Sequence, residues 1–199
     1  MRLDNAKAEL LTQRPQAKIV MHYHPFMIDP GTAPDGEDYK AYNERRWGGD
    51  GWTRSMKRMG KEEGAPYENW RTWPNTTHCS RLLMYAEKHG LGDEVIGRLY
   101  RACYEHGENV SLKSTVAKVA REAGVPGGEE YVMSDEGTQE LMQHLRSSTC
   151  NGKRVRAAPT FGLRVGTAVH DFSGAQDTES WVSILEQCAD YAEQHPSAR

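Results

Sequence analysis

The chain has 199 residues and a formal net charge of −3 at pH 7, with 25 Lys and Arg against 28 Asp and Glu. A chain of this length can form one sizeable core, or one core with an inserted subdomain. The basic residues are scattered, and no apolar run approaches the roughly 20 residues of a membrane span. We therefore expect a cytoplasmic protein that binds neither nucleic acid nor membranes.

The first third of the chain predicts a helix, a strand and two further helices. Apolar residues recur near the helical period over 3–11, and Ile19, Val20 and Met21 predict a buried strand that ends at Pro25. A turn-rich connector follows. Helices are then expected over 37–46 and 52–63, with glycines between them.

The rest of the chain predicts more helices and then a hairpin. Cap-type residues, apolar stripes and terminal glycines indicate three helices within 75–124, and another helix is expected over 137–148. Two short strands joined by a turn at Gly166 and Thr167 come next. A final helix follows, for which Asp177 or Thr178 is the expected N-cap.

The residues that bind metals or carry redox chemistry are dispersed. Cys79, Cys103, Cys150 and Cys188 form no C-x-x-C motif and no zinc-type spacing, so most of them are expected to be buried and structural. Cys150 is the exception to test, because it precedes Pro159 by only nine residues. No metal site is expected.

Four tryptophans are concentrated in a polar, glycine-rich part of the chain: Trp47, Trp52, Trp70 and Trp73. Such residues could line an apolar substrate groove, or they could pack inside the helical region. Both interpretations stay open from the sequence.

Several short segments, in their order along the chain, resemble the DsbA-like thioredoxin-fold family. Within it the likeness is to the FrnE-like and 2-hydroxychromene-2-carboxylate isomerase-like branch. The segments are HPFMIDP (24–30), NTTHCSRLL (75–83), GENVSLKSTVAKVAREAG (107–124), APTFGL (158–163) and FSGAQDTESW (172–181). The family usually has a histidine where Ser80 stands.

The resemblance implies an α/β protein with a thioredoxin-like fold and an inserted all-helical subdomain. The core would comprise residues 1–30 and 150–199 of a single domain, and the helical insertion residues 31–149. It also implies that Ala158–Pro159 is the cis peptide of this fold, in a loop whose backbone pairs with a substrate chain. The implied substrate-binding residues are His24, Phe26, Asn75, Ala158, Pro159, Thr160 and Asp177.

In that family a first strand and a C-x-x-C come just before the residues that the start of this chain resembles. The sequence contains no such motif, so we expect no catalytic residue in this chain and an N-terminally truncated thiol–disulfide oxidoreductase. The central strand would then be missing, which predicts an exposed ladder between Val20 and Phe161 and a homodimer that pairs the exposed edges.

Two alternatives remain. A glutathione-dependent isomerase or transferase of the kappa-like type would need no C-x-x-C, and Asp177 would meet the γ-glutamyl ammonium of glutathione. Glutathione is the one cofactor to consider, and protein thiols or disulfides are otherwise the expected partners. A non-catalytic binding protein would keep the pocket without redox chemistry.

Overall fold

The computed structural model describes residues 1–195, and the chain divides into two compact units. One comprises Met1–Val20 together with the chain from Ser148 onward, and we call it the terminal unit. The other comprises Met21–Ser147, and we call it the helical unit.

The helices, in chain order, are α1 (Arg2–Gln13), α2 (Tyr39–Trp47), α3 (Thr53–Glu62), α4 (Thr77–Glu87), α5 (Gly92–Tyr100), α6 (Lys113–Glu122), α7 (Gly128–Met133), α8 (Thr138–Ser147) and α9 (Thr178–Gln194). The strands are β1 (Glu37–Asp38), β2 (Thr72–Trp73), β3 (Thr149–Cys150), β4 (Lys153–Arg154), β5 (Thr160–Val165) and β6 (Ala168–Ser173). A π-helical turn, Arg101–Glu105, continues α5. No helix within residues 1–195 is both long enough and apolar enough to span a bilayer.

The core of the terminal unit lies between its two helices. Ala6 and Leu10 of α1 are buried against Trp181 and Leu185 of α9. The apolar face of the β5–β6 hairpin packs on the same cluster, with the ring of Phe161 edge-on to Trp181 at 4.7 Å between centroids. The two helices and the hairpin thus enclose one small core, because each presents one apolar face.

The core of the helical unit is larger and contains a cluster of aromatic rings. The aliphatic part comes from the expected stripes, including Leu82, Val95 and Val116, all fully buried. Trp73 stacks on Tyr42 with 4.0 Å between ring centroids. Beside this pair, β1 and β2 form a two-stranded antiparallel sheet that joins the start of α2 to the chain before α4.

The predicted strand at Ile19–Met21 is wrong. The described chain has no strand between the end of α1 and Glu37, and Val20 is 60% exposed. A strand is stable only when a neighbour accepts and donates its backbone hydrogen bonds, and the described residues offer this segment none. Ile19 contributes its side chain to the core of the terminal unit from an irregular backbone. The expected ladder between Val20 and Phe161 is therefore absent from the described structure.

Candidate functional site

The predicted site residues are divided between the two units. Ala158, Pro159, Thr160 and Asp177 belong to the terminal unit, and His24, Phe26 and Asn75 belong to the helical unit.

The loop that enters β5 is exposed, and its backbone is held at two points. The peptide bond between Ala158 and Pro159 is cis, and Arg156 to Pro159 are exposed. The Pro159 carbonyl accepts a hydrogen bond of 2.9 Å from the Gly174 amide. The Ala157 carbonyl accepts one of 2.8 Å from the Thr160 hydroxyl.

Between these two anchored carbonyls, the backbone of Ala158 is open. Among residues 1–195, neither its amide nor its carbonyl has a hydrogen-bond partner. An exposed backbone donor and acceptor on one residue can pair with an added polypeptide strand. We call residues 156–160 the open loop.

Thr160 and Ser173 close the base of the open loop. They are opposite each other in the antiparallel hairpin, and their hydroxyl oxygens are 2.9 Å apart. Thr160 is one of the predicted substrate-binding residues, whereas Ser173 was not predicted. A turn at Gly166 and Thr167 pairs Val165 with Ala168, so counting back along both strands pairs Thr160 with Ser173.

The other strand pair of the terminal unit brings Cys150 against β5. Cys150 is half-buried in β3, and a Cβ placed on Gly162 would come within 2.7 Å of its sulfur. Glycine therefore leaves the space that the thiol occupies. This contact ties Cys150 to the hairpin and offers it no second thiol.

Asp177 is the N-cap of α9, as predicted. Its carboxylate accepts a hydrogen bond of 2.7 Å from the Ser180 amide. That bond lowers the pKa of Asp177 below its ordinary value. The carboxylate thus satisfies one of the free N–H groups of the helix and also faces the positive end of its dipole.

We expect Asp177→Ala to lower the free energy of unfolding at pH 7. Because the folded pKa is below the unfolded one, the carboxylate stabilises the fold above the unfolded pKa, and this contribution disappears as the pH falls through the folded pKa. Urea unfolding of both proteins from pH 7 down to pH 2 measures the difference. If the difference between the two free energies of unfolding stays constant over this pH range, the charge of Asp177 has no stabilising role.

The three residues in the helical unit make contacts within that unit. The ring of His24 stacks on His144 with 5.5 Å between centroids. Phe26 is half-buried. Asn75 uses its side chain to begin α4: its carbonyl oxygen accepts from the amide and hydroxyl of Thr77, and its amide donates to the Thr32 carbonyl at 2.9 Å.

The cysteines of the helical unit are shielded from solvent. Burial raises the pKa of the Cys79 thiol, which donates a hydrogen bond to the Val110 carbonyl at 3.1 Å. Burial also raises the pKa of Cys103 to about 12. In the terminal unit, partial burial raises the pKa of Cys188. Burial thus disfavours the thiolate, the nucleophilic form, at all three cysteines, and most strongly at the buried Cys79 and Cys103.

The four tryptophans fall into two pairs. Trp70 and Trp73 are buried in the core of the helical unit. Trp47 and Trp52 are 50% and 43% exposed. The first pair therefore packs inside the helical unit, which was one of the two interpretations, whereas the rings of the second pair are exposed to solvent.

Comparisons with known proteins agree with this architecture. A family model described as the DSBA-like thioredoxin domain matches residues 2–186. The crystal structure of a probable DsbA oxidoreductase from Streptomyces coelicolor matches with a TM-score of 0.71 at 18% sequence identity, covering 95% of this chain and 84% of that one. A search of curated proteins found no match.

The structural match and the family model together confirm the predicted fold class, a thioredoxin-like α/β fold with a helical subdomain. The family model spans most of the chain, from the first residue of α1 into α9. The chain belongs to the DSBA-like thioredoxin domain family.

Proposed function

We propose that this chain binds a substrate polypeptide at the open loop for thiol–disulfide exchange, with a redox cysteine pair other than the four cysteines of this sequence. The observation that carries the proposal is the exposed backbone of Ala158, whose amide and carbonyl lack partners among the described residues. An extended substrate would pair there, and the side chains flanking its cysteine would lie along the hairpin.

The chemistry of the cysteines supports the second part of the proposal. Exchange requires a thiolate that attacks a disulfide sulfur and a second thiol that resolves the mixed disulfide. Cys79 and Cys103 are buried and their pKa values are raised, and the pKa of Cys188 is raised as well. Only Cys150 is then left near β5, and one thiol cannot complete the exchange.

Substitution of Thr160 tests whether the open loop binds a polypeptide, because the Thr160 hydroxyl holds this loop through hydrogen bonds to Ala157 and Ser173. We expect Thr160→Val to weaken binding of S-carboxymethylated insulin B chain about fivefold. The open loop would lose two hydrogen bonds worth about 0.5–1.5 kcal/mol each, and its backbone would no longer be held in one conformation. Thr160→Ser keeps the hydroxyl and should bind as the parent does. Fluorescence anisotropy of the labelled peptide measures both.

Thr167→Val is the matched control, because Thr167 is an exposed threonine in the turn at the other end of the same hairpin. It should leave the affinity unchanged. Equal affinities for Thr160→Val and the parent chain, or no binding by the parent chain, would refute the role of the loop.

Glutathione binding at Asp177 stays a prediction. The cap on α9 uses one carboxylate oxygen for the Ser180 amide. Retention of the protein on immobilised glutathione, and loss of that retention in Asp177→Asn, would favour the isomerase or transferase alternative over the polypeptide-binding proposal.

A further inference from the structure

One side of α3 carries an unbalanced positive charge. Between residues 44 and 63 the sequence has six Lys and Arg against four acidic residues, and α3 itself carries four cations and one carboxylate, Glu62, at its last residue. Four of the basic residues lie on α3, and we call them the basic face: Arg54, Lys57, Arg58 and Lys61. All except Lys57, which is partly buried, are exposed.

The basic face is electrostatically unfavourable in the isolated chain. Four pairs within it are three or four positions apart, and each such like-charge pair destabilises the helix, whereas Glu62 lies four positions after Arg58 and opposes this effect. None of the four is within ion-pair distance of a carboxylate among residues 1–195. Among exposed cations on other helices, Arg121 pairs with Glu129, whereas Lys40 of α2 and Arg146 of α8 have no ion pair within residues 1–195.

The start of α3 adds to this local instability. Its N-cap is Trp52, which makes no side-chain capping bond, and its first turn has no acidic residue. Arg54 lies in that turn, where the helix dipole disfavours a cation. These features do not stabilise α3 in the isolated chain, whereas an anionic partner would neutralise the charges.

Two exposed rings lie at the same end of the helix. Trp47 ends α2 and Trp52 precedes α3, and their rings meet edge to face at 6.5 Å between centroids. The indole N–H of Trp52 donates to the Asn43 side chain at 2.8 Å, which fixes the ring. Exposed, ordered tryptophans beside arginines are typical of the residues that dominate binding energy in protein interfaces.

We propose that the basic face, with Trp47 and Trp52, binds an acidic segment of a partner protein. Arg54 and Arg58 are four residues apart, which corresponds to about 6 Å along the helix axis. Alternate side chains of an extended strand are about 6.6 Å apart, so carboxylates at every second position of a peptide match this spacing. The tryptophans supply an apolar contact at one end.

Other anionic partners fit less well. A helix that lies on a lipid surface buries an exposed apolar face, but Met56 of α3 packs on the core of the helical unit and Met59 is half-buried. Single-stranded nucleic acid needs open aromatic faces. Arg46 covers the ring of Trp47 at 4.7 Å, and Trp52 is wedged edge-on between Trp47 and Trp70.

The test uses the full chain and a fluorescein-labelled peptide of alternating glutamate and serine. We expect salt-sensitive binding, whereas a lysine–serine peptide should not bind. Arg54→Glu/Arg58→Glu should weaken binding about tenfold or more, because two attractions become repulsions. Lys18→Glu/Arg164→Glu, an equal charge change at exposed residues outside the basic face, should weaken it less than about twofold.

Each contrary result would overturn the proposal. Equal losses in the two double variants would show an effect of net charge alone. Tighter binding to phosphatidylserine vesicles or to oligothymidylate would identify a different class of partner. A salt-sensitive dimer in sedimentation without peptide would make a second copy the occupant. Lys18→Glu/Arg164→Glu should unfold near the parental temperature, since the substituted side chains are exposed. Arg54→Glu/Arg58→Glu should unfold at or above it, because the change removes like-charge pairs and a cation from the first turn of α3, so lost binding would not reflect unfolding.

Discussion

Arg81→Met is expected to lower the free energy of unfolding by about 1.5–3 kcal/mol, a sizeable part of the about 5–15 kcal/mol typical of a domain. Arg81 lies on α4 and is 1% exposed. Its guanidinium donates to the carbonyls of Tyr131, Ser134 and Glu136 at 2.6–3.0 Å, with Nε and Nη2 both reaching Glu136. Methionine would fill the volume but donate no hydrogen bond. The carbonyls of Tyr131 and Ser134 would keep Ser134 Oγ and Lys113 Nζ as donors, whereas the Glu136 carbonyl would lose both of its bonds to Arg81.

The arginine acts as a C-cap for a neighbouring helix. Tyr131 and Val132 belong to the last turn of α7, whose carbonyls have no partner within the helix. The five N–H groups of a planar guanidinium can serve several of them, which a lysine ammonium cannot do with the same geometry. Burial and the charge of Arg81 lower the pKa of the adjacent His78, which keeps that ring neutral beside the cation.

Urea unfolding followed by circular dichroism measures the loss. Arg81→Lys should recover part of it, because the charge is retained. Arg121→Met is the matched control, since that arginine is exposed and forms a surface ion pair with Glu129, worth about 0–1 kcal/mol. If Arg81→Met and Arg121→Met cost the same, the capping role of Arg81 is wrong.

Thiol labelling should separate the cysteines into two classes. With the pKa of Cys103 at about 12, its thiolate fraction near neutral pH is about a thousandfold below that of an ordinary thiol, and burial adds a steric barrier. Cys79 is expected to behave in the same way, because burial raises its pKa too. Cys150 and Cys188, which are partly exposed, should therefore react first.

Iodoacetamide labelling of the native protein, followed by mass mapping against time, gives the four rates. The control is the same protein in guanidinium chloride, where all the cysteines should react alike. Native rates for Cys79 or Cys103 that equal the denatured rates would mean that the helical unit opens readily, and would remove the argument that these thiols are structural.

Most helices, and the hairpin with its register, could be predicted from the sequence. Apolar stripes at the helical period and glycines at helix ends indicate α4, α5 and α6 because their faces are buried in one core. The turn at Gly166 and Thr167 sets the register of β5 and β6. These features depend on neighbouring residues only, so a local pattern contains the information.

The failures depend on residues far apart in the chain. Ile19 to Met21 have the composition of a strand, but a strand needs a partner that local sequence does not show. The pairing of β1 with β2 joins Glu37 to Trp73 across 36 positions and involves two residues from each strand, too few for any periodicity. The short helix α7 is likewise stabilised by Arg81, which no pattern near α7 reveals.

For the candidate site, the sequence identified the loop and the cap but not their contacts. Thr160 and Asp177 have the predicted local settings at the start of β5 and of α9. That the backbone of Ala158 is open follows only from the structure, in which the Gly174 amide and the Thr160 hydroxyl donate to the carbonyls on either side of it. Asn75 is a residue whose hydrogen bonds inside the helical unit could not be foreseen.

We infer that the four cysteines of this chain form no redox pair. Equilibration in glutathione buffers of graded potential, followed by an acid quench and alkylation in denaturant, with the alkylated cysteines counted by mass, tests this inference. We expect no intramolecular disulfide at any potential, and any protection from alkylation should be the addition of single glutathiones. A reversible two-electron transition in which two cysteines lose alkylation together would show that a redox pair exists.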